Sequence, residues 1–252
     1  MPAGVFSPRI AVISDIHGNL PALEAVLADI ETRGADMVIN LGDCVTSPLW
    51  PRETCDLLAS LSLTTVRGNH DRALMETPFD DLPPAGQFAH AALTAQQRET
   101  LARLPTRVEV APGILAVHGT PDDDSSFLLE EVHNERLIPA PREIVLARLG
   151  AHARAEVVLC GHSHNQQVRQ VPGGCLVLNP GSVGCPVFAD HPAAAIFELR
   201  SPHAFYAILT KRNGQWGAEL MALEYDWTSA SRRAADNGRP DWAQAMTAGA
   251  VT

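Results

Sequence analysis

Three apolar runs in the first seventy residues, at 10–13, 37–41 and 63–66, each lead into glycine and a side chain able to bind a metal. Segments with helical signals separate them. Residues 21–33 place Leu23, Val26, Leu27 and Ile30 on one helix face, with Pro21 in the first turn and Gly34 just past the end, and residues 51–61 read as a second helix. Strand, helix, strand, helix, strand leaves few solutions: parallel strands in one sheet, with helices laid on its faces. In open sheets of this kind, ligands gather at the carboxyl ends of the strands. Those ends carry Asp15 and His17 in Asp15-Ile16-His17-Gly18-Asn19, Asp43 after Gly42, and Asn69, His70 and Asp71 in Arg67-Gly68-Asn69-His70-Asp71. Alternation along an extended strand would point Asp15 and His17 to the same side.

The pattern recurs further on. A strand at 114–117, paired with 108–110 around Pro112-Gly113, ends at His118-Gly119-Thr120-Pro121, and a buried strand at 157–160 ends at Gly161-His162-Ser163-His164. Between these elements, residues 77–90 are rich in Pro, Asp and Gly and read as a surface loop. Residues 94–104 read as a helix opened by a Thr94–Gln97 capping box. The acidic stretch 122–138 reads as irregular, with Asp122, Asp123, Asp124 and His133 solvated, and 141–149 as a helix. The last third changes to antiparallel signals: a hairpin of 168–171 with 176–179, a turn at 180–184, a strand at 194–199, and a hairpin of 204–209 with 219–224 around Asn213-Gly214. A helix at 227–235 closes the pattern. The chain reads as a single domain, 1–252, with its core at about 9–226 and a poorly ordered tail at 237–252.

Composition limits what such a site serves. With 46% hydrophobic residues the chain can bury one sizeable core, and a formal net charge of −10 disfavours a protein that grips long nucleic acid. No segment reaches about 18 uninterrupted apolar residues, and the first residues, with Pro2 and Pro8, hold no long apolar run. A soluble, cytoplasmic protein that does not engage membranes is expected. Five cysteines, an odd number without a Cys-x-x-Cys pair, read as reduced core residues.

Any one of these histidines, taken singly, is more often a satisfied core residue than a ligand. The order Asp15-x-His17, Gly42-Asp43, Gly68-Asn69-His70-Asp71, His118, Gly161-His162-x-His164 nonetheless resembles the calcineurin-like metallophosphoesterase superfamily over most of residues 10–186. The stretches Asp15–Leu20, His118–Pro121 and Asn179–Gly184 are similar to its small bacterial and archaeal phosphodiesterase branch, which includes the YfcE-like proteins. The resemblance implies an α/β fold, a four-layer αββα sandwich of two mixed sheets flanked by helices. It implies a dinuclear site in which Asp15, His17 and His164 hold one ion, Asn69, His118 and His162 the other, and Asp43 bridges them. A shared water, its pKa lowered to about 7, would be the nucleophile, and His70 would protonate the leaving group.

The implied ligands are oxygen and nitrogen without thiolate, which suits Mn, Fe, Ni or Zn better than Mg or Ca, with Mn the choice for an assay. Asn19 and Arg67 are candidate substrate contacts; a helix cap for the first and packing behind the site for the second are the competing roles. Asp71 either orients His70 or begins a helix as an exposed carboxylate. Thr46 stands where Ser/Thr protein phosphatases carry a carboxylate, which counts against that activity. The expected activity is hydrolysis of small or nucleotide-like phosphodiesters, the alternatives being a phosphomonoesterase with the same centre or a non-catalytic protein-binding scaffold. The expected partner is a small phosphate ester, and homo-oligomerisation stays open.

Overall fold

A computed structural model describes residues 8–61, 63–189 and 195–251. The expected domain span 1–252, the strand at 194–199 and the tail at 237–252 reach residues outside that set, namely 1–7, 62, 190–194 and 252. The first half builds β1 (Arg9–Ile13), α1 (Leu20–Arg33), β2 (Met37–Asn40), α2 (Pro51–Ser60) and β3 (Thr64–Thr65), with β1, β2 and β3 parallel neighbours as expected. Helix α1 begins where Asn19 accepts from the Ala22 amide at 3.4 Å. It stops at Gly34, whose φ of 71° is left-handed and costs a glycine nothing.

A helical cap follows, made of α3 (Asn69–Glu76), α4 (Pro84–Ala92) and α5 (Ala95–Ala102). The Thr94–Gln97 capping box at the start of α5 forms in both directions. The stretch 77–90, expected to be loop, is instead helical from Pro84 onward, in a helix that runs to Ala92. Pro83 and Pro84 fall at the helix start, where a missing N–H is no loss, and Ala89 and Leu93 bury against Leu74 and Leu101.

Then come β4 (Arg107–Ala111), β5 (Ile114–Val117), β6 (Glu130–His133), β7 (Arg136–Pro139), α6 (Arg142–Leu149), β8 (Val157–Leu159), β9 (Gln166–Gln170) and β10 (Leu176–Pro180). The acidic stretch therefore ends in a hairpin, β6–β7. Its turn, Asn134-Glu135, takes left-handed φ of 48° and 58° without a glycine to announce it. The chain closes with β11 (Val187–Ala189), β12 (Ile196–Glu198), β13 (Ala204–Arg212), β14 (Gln215–Leu223), α7 (Trp227–Asp236) and α8 (Pro240–Ala248). The presumed tail thus contains a helix: Ala245 and Met246 of α8 bury against Leu49 and against Ala230 and Ala234 of α7.

Two five-stranded mixed sheets result, ordered β14-β13-β1-β2-β3 and β4-β5-β8-β10-β9. Alternation decides what each face meets. Ile10 and Val12 of β1 face Ile114, Ala116, Val157, Leu159 and Leu178 of the second sheet, whereas Ala11 and Ile13 face Leu23, Val26 and Ile30 of α1. On the far side of the second sheet, Val158 and Val177 pack on Val145 and Leu149 of α6. Helix, sheet, sheet and helix are the four layers expected. Ile10, Val12 and Ile13 are at most 1% exposed, and burial of each such side chain contributes about 1.5–3 kcal/mol. Among the described residues no helix is long and apolar enough to cross a membrane.

Candidate metal centre

Beyond the last paired residues of β1 and β2 the two chains stay stitched together. Leu41 donates to Ile13 O (2.9 Å), Asp15 to Gly42 O (3.0 Å), His17 to Asp43 O (2.9 Å) and Gly18 to Cys44 O (3.0 Å). Within this weave Asp15, His17 and Asp43 have φ of 54°, 46° and 55°, and across the second sheet His162 and His164 have 66° and 58°. Non-glycine residues rarely adopt such angles, and here five neighbouring candidates do so together. Asp15 and His17 therefore converge through a left-handed turn, not through the strand alternation expected from the sequence. Gly68 and Gly161 permit the close approach: a Cβ on the first would collide with the Asp43 carboxylate, and on the second with Ser14 Oγ.

Three imidazoles are oriented from behind. Nδ1 of His17 lies 3.0 Å from Thr46 O, Nδ1 of His118 2.7 Å from Leu41 O, and Nδ1 of His164 2.7 Å from Cys185 O. A carbonyl only accepts, so each Nδ1 donates its hydrogen and each Nε2 faces forward, the arrangement that outer partners impose on metal-binding histidines. His164 Nε2 lies 3.3 Å from Asp15 Oδ1, His118 Nε2 3.3 Å from Asp43 Oδ2 and 3.1 Å from Asn69 Oδ1, and His17 Nε2 3.7 Å from Asp43 Oδ2. His162 instead directs Nε2 to Ser125 O at 3.0 Å, which leaves Nδ1 as its acceptor, and its ring stacks on Phe127 at 4.9 Å. Asp15, His17 and Asp43 bring ligand atoms within 4.8 Å of one another, and so do Asp43, His118 and His162. Asp43 belongs to both groups.

The electrostatics mark the same spot. Burial opposes charge on both carboxyls, yet His164 and His118 hold Asp15 down at about 2, and His118 and His70 hold Asp43 well below its ordinary range. Burial likewise opposes a proton on His118, but Asp43 and Asp15 lift it to about 10, and Asp15 raises His164 well above the usual imidazole value. Burial wins at His17 and His162, pushed down to about 3 and about 4. The cluster is a buried demand for positive charge. Asp15 Oδ1 and His17 Nε2 are buried without a hydrogen-bond partner, and polar atoms so placed are rare unless something else is meant to occupy the space before them. Carboxylate oxygen with imidazole nitrogen is a donor set for divalent transition metals, so the residues fit such ions.

The remaining candidates sort by what they touch. His70 opens α3, donates its backbone N–H to Asp43 Oδ1 at 2.9 Å, and sets its half-buried ring edge-on to His17 at 5.1 Å. Asp71 is fully buried, so it is no exposed helix-start, and it does not reach for His70. It accepts from the backbone of Asp43 (2.9 Å), Cys44 (3.0 Å) and Gly68 (3.0 Å), latching the second and third strand ends together.

Asn19 takes the helix-cap role. It is fully buried, caps α1, and donates to Gly184 O and to the Tyr225 hydroxyl, both at 3.0 Å. Arg67 packs behind the site, donating to Ala102 O at 3.2 Å and pairing with Glu76 at 3.6 Å. Asp124 is not solvated; it forms a two-pronged ion pair with Arg72 at 2.8 and 2.9 Å. All five cysteines are buried and free, but Cys185 is not remote core, since its thiol lies near His17 and His164. The carbonyls of Leu41, Thr46, Cys185 and Ser125 escaped sequence reading because a backbone acceptor leaves no residue-type signal.

A four-layer α/β sandwich that gathers carboxylates and imidazoles at its strand ends is a scaffold whose residues could hold divalent metal ions. Residues 9–202 match the description "Calcineurin-like phosphoesterase superfamily domain", and the chain belongs to that superfamily. It is 28% identical over 255 residues, 92% of this chain and 94% of the other, to "Uncharacterized protein MJ0912" of Methanocaldococcus jannaschii. It is similar to the crystal structure of a metallophosphoesterase from Sphaerobacter thermophilus, with 26% identity, TM-score 0.72, and coverage of 96% of this chain and 100% of that one. Hypothetical protein PH1004 from Pyrococcus horikoshii OT3 shares the fold at 21% identity and TM-score 0.75, over 97% of this chain and 99% of its own.

Proposed function

We propose that this protein hydrolyses small phosphodiesters, nucleotide-like ones included, at a centre of two divalent cations. One observation carries the reading: His17, His118 and His164 are fixed by backbone carbonyls so that their Nε2 atoms face Asp15 and Asp43, with Asp15 Oδ1 and His17 Nε2 buried without a hydrogen bond. Asp15, His17 and His164 would hold the first ion and Asn69, His118 and His162 the second, with Asp43 serving both groups. Bound there, the ions supply positive charge for phosphoryl oxygens and a water acidic enough to attack near neutral pH.

The chain's own residues do the rest. The carbonyls of Thr46, Leu41 and Cys185 keep the rings from turning, and Asp71 keeps the Asp43 and Gly68 loops in register. The His70 ring, half-buried at the helix start beside His17, would give a proton to the departing oxygen. The preference for diesters draws on the likeness of Asp15–Leu20 and Asn179–Gly184 to the phosphodiesterase branch, and the net charge of −10 speaks against long polyanionic substrates.

Hydrolysis of bis-p-nitrophenyl phosphate beside p-nitrophenyl phosphate tests this, on EDTA-stripped protein with Mn²⁺ returned. Diester turnover should return with Mn²⁺, and His70→Ala should lower kcat about 10²–10⁴-fold while leaving Mn²⁺ uptake intact. Monoester turnover alone would replace the substrate class. Neither activity in metal-filled protein would remove the hydrolase reading and favour the scaffold.

A further inference from the structure

Strand β6 is built oddly for a surface hairpin. Glu130 is its buried residue, at 3% exposure, while Val132 on the same strand is 37% exposed. A strand held only by packing would reverse that choice, because a buried carboxyl costs free energy unless it is bonded. Glu130 is bonded to one side chain: Ser163 Oγ donates to its Oε1 at 3.0 Å.

Ser163 is fully buried and stands between His162 and His164, both of which hold left-handed φ. Its hydroxyl also accepts from Asn179 Nδ2 at 3.0 Å, and the same Nδ2 donates to Gly161 O at 2.8 Å. The Ser163 hydroxyl is therefore fixed in direction, its hydrogen on Glu130 and one of its two lone pairs taken by Asn179. From the same segment, Ser125 O accepts from His162 and Phe127 stacks on it. Arg148 anchors the arm by donating to Glu130 O at 2.8 Å.

We propose that Glu130 is a positioning residue for the metal centre, acting through Ser163 to hold the strained His162–His164 turn in ligand geometry. The inference rests on the reading of those histidines as ligands. Without an acceptor at Glu130 the Ser163 hydroxyl loses its direction, and the two flanking imidazoles lose a fixed backbone. Partners behind a metal ligand are typically worth about 10–100-fold in metal affinity.

The test is calorimetric titration of EDTA-stripped protein with Mn²⁺, for wild type, Glu130→Ala, Glu130→Gln and Ser163→Ala, with circular dichroism of the metal-free proteins as the control for folding. Glu130→Ala and Ser163→Ala should each lose about 10–100-fold in affinity. Glu130→Gln, whose amide oxygen still accepts from Ser163, should keep the wild-type value. At saturating Mn²⁺ all variants should share the wild-type KM for bis-p-nitrophenyl phosphate. Wild-type affinity in folded Glu130→Ala overturns the proposal, as does equal loss in the Ala and Gln variants. Should Glu130→Ala fail to fold, Ser163→Ala decides alone, unchanged affinity overturning the proposal. Wild type that takes up no Mn²⁺ removes the underlying metal reading, a result distinct from uptake that ignores Glu130.

Discussion

Asp71→Ala removes one buried carboxylate that satisfies three backbone donors, the N–H groups of Asp43, Cys44 and Gly68 at 2.9–3.0 Å. Each buried donor left unsatisfied costs about 1–3 kcal/mol, and the fully enclosed site gives water little room to substitute. Allowing for relaxation, the loss should be about 3–5 kcal/mol, a large share of the 5–15 kcal/mol that holds a typical native protein together. For a chain of this size that is a fall in Tm of roughly 6–20 °C. Asp71→Asn should cost less, about 1–3 kcal/mol. Its oxygen can replace Oδ2, which serves Asp43 and Gly68, but its amide would then meet the Cys44 N–H donor to donor. The assay is urea unfolding of metal-free protein followed by circular dichroism, so that lost metal binding does not enter the stability. An Asp71→Ala protein within about 1 kcal/mol of wild type, or an Asn variant less stable than the Ala variant, would refute the latch.

Asn19→Ala should destabilise by about 2–4 kcal/mol, from a lost helix cap and an orphaned Gly184 carbonyl, while KM stays at the wild-type value; a raised KM at unchanged stability would return Asn19 to the substrate. Burial pushes the Glu130 carboxyl up to about 7. With its folded pKa above the unfolded one, its contribution is full below about pH 4.5 and is lost as pH rises through 7. Wild type should therefore lose up to roughly 3 kcal/mol relative to Glu130→Gln across that window, read from urea midpoints at fixed pH values; parallel curves would contradict the buried acid.

What could be read from the sequence followed from side-chain identity and spacing. Pro21, Asn19 and Gly34 punctuate α1, Thr94 and Gln97 announce α5, and Asn213-Gly214 turns β13 into β14, each because a particular side chain does a particular local job. The seven candidate ligands could be picked out because each follows a strand whose apolar pattern survives in the core, and the fold brings them together. What could not be read lies in the backbone. The left-handed φ at Asp15, His17 and Asp43 is imposed by hydrogen bonds between two strand ends far apart in sequence, and the acceptors behind the histidines are carbonyls. Helix α4 hid behind prolines that start it, hairpin β6–β7 behind a turn without glycine, and α8 behind small residues that find a partner only in α7 and Leu49. Asp71 and Arg67 sit in one short motif yet do unlike things, since one points toward the strand ends and the other toward α5.

Mn²⁺ titration of EDTA-stripped protein followed by electron paramagnetic resonance tests the proposal that Asp43 lies between two ions. Wild type should take up two ions per chain and give a multiline spectrum of exchange-coupled Mn²⁺, replaced by uncoupled signals in Asp43→Asn. Saturation at one ion, or two ions whose wild-type spectrum shows no coupling, would contradict a bridged centre.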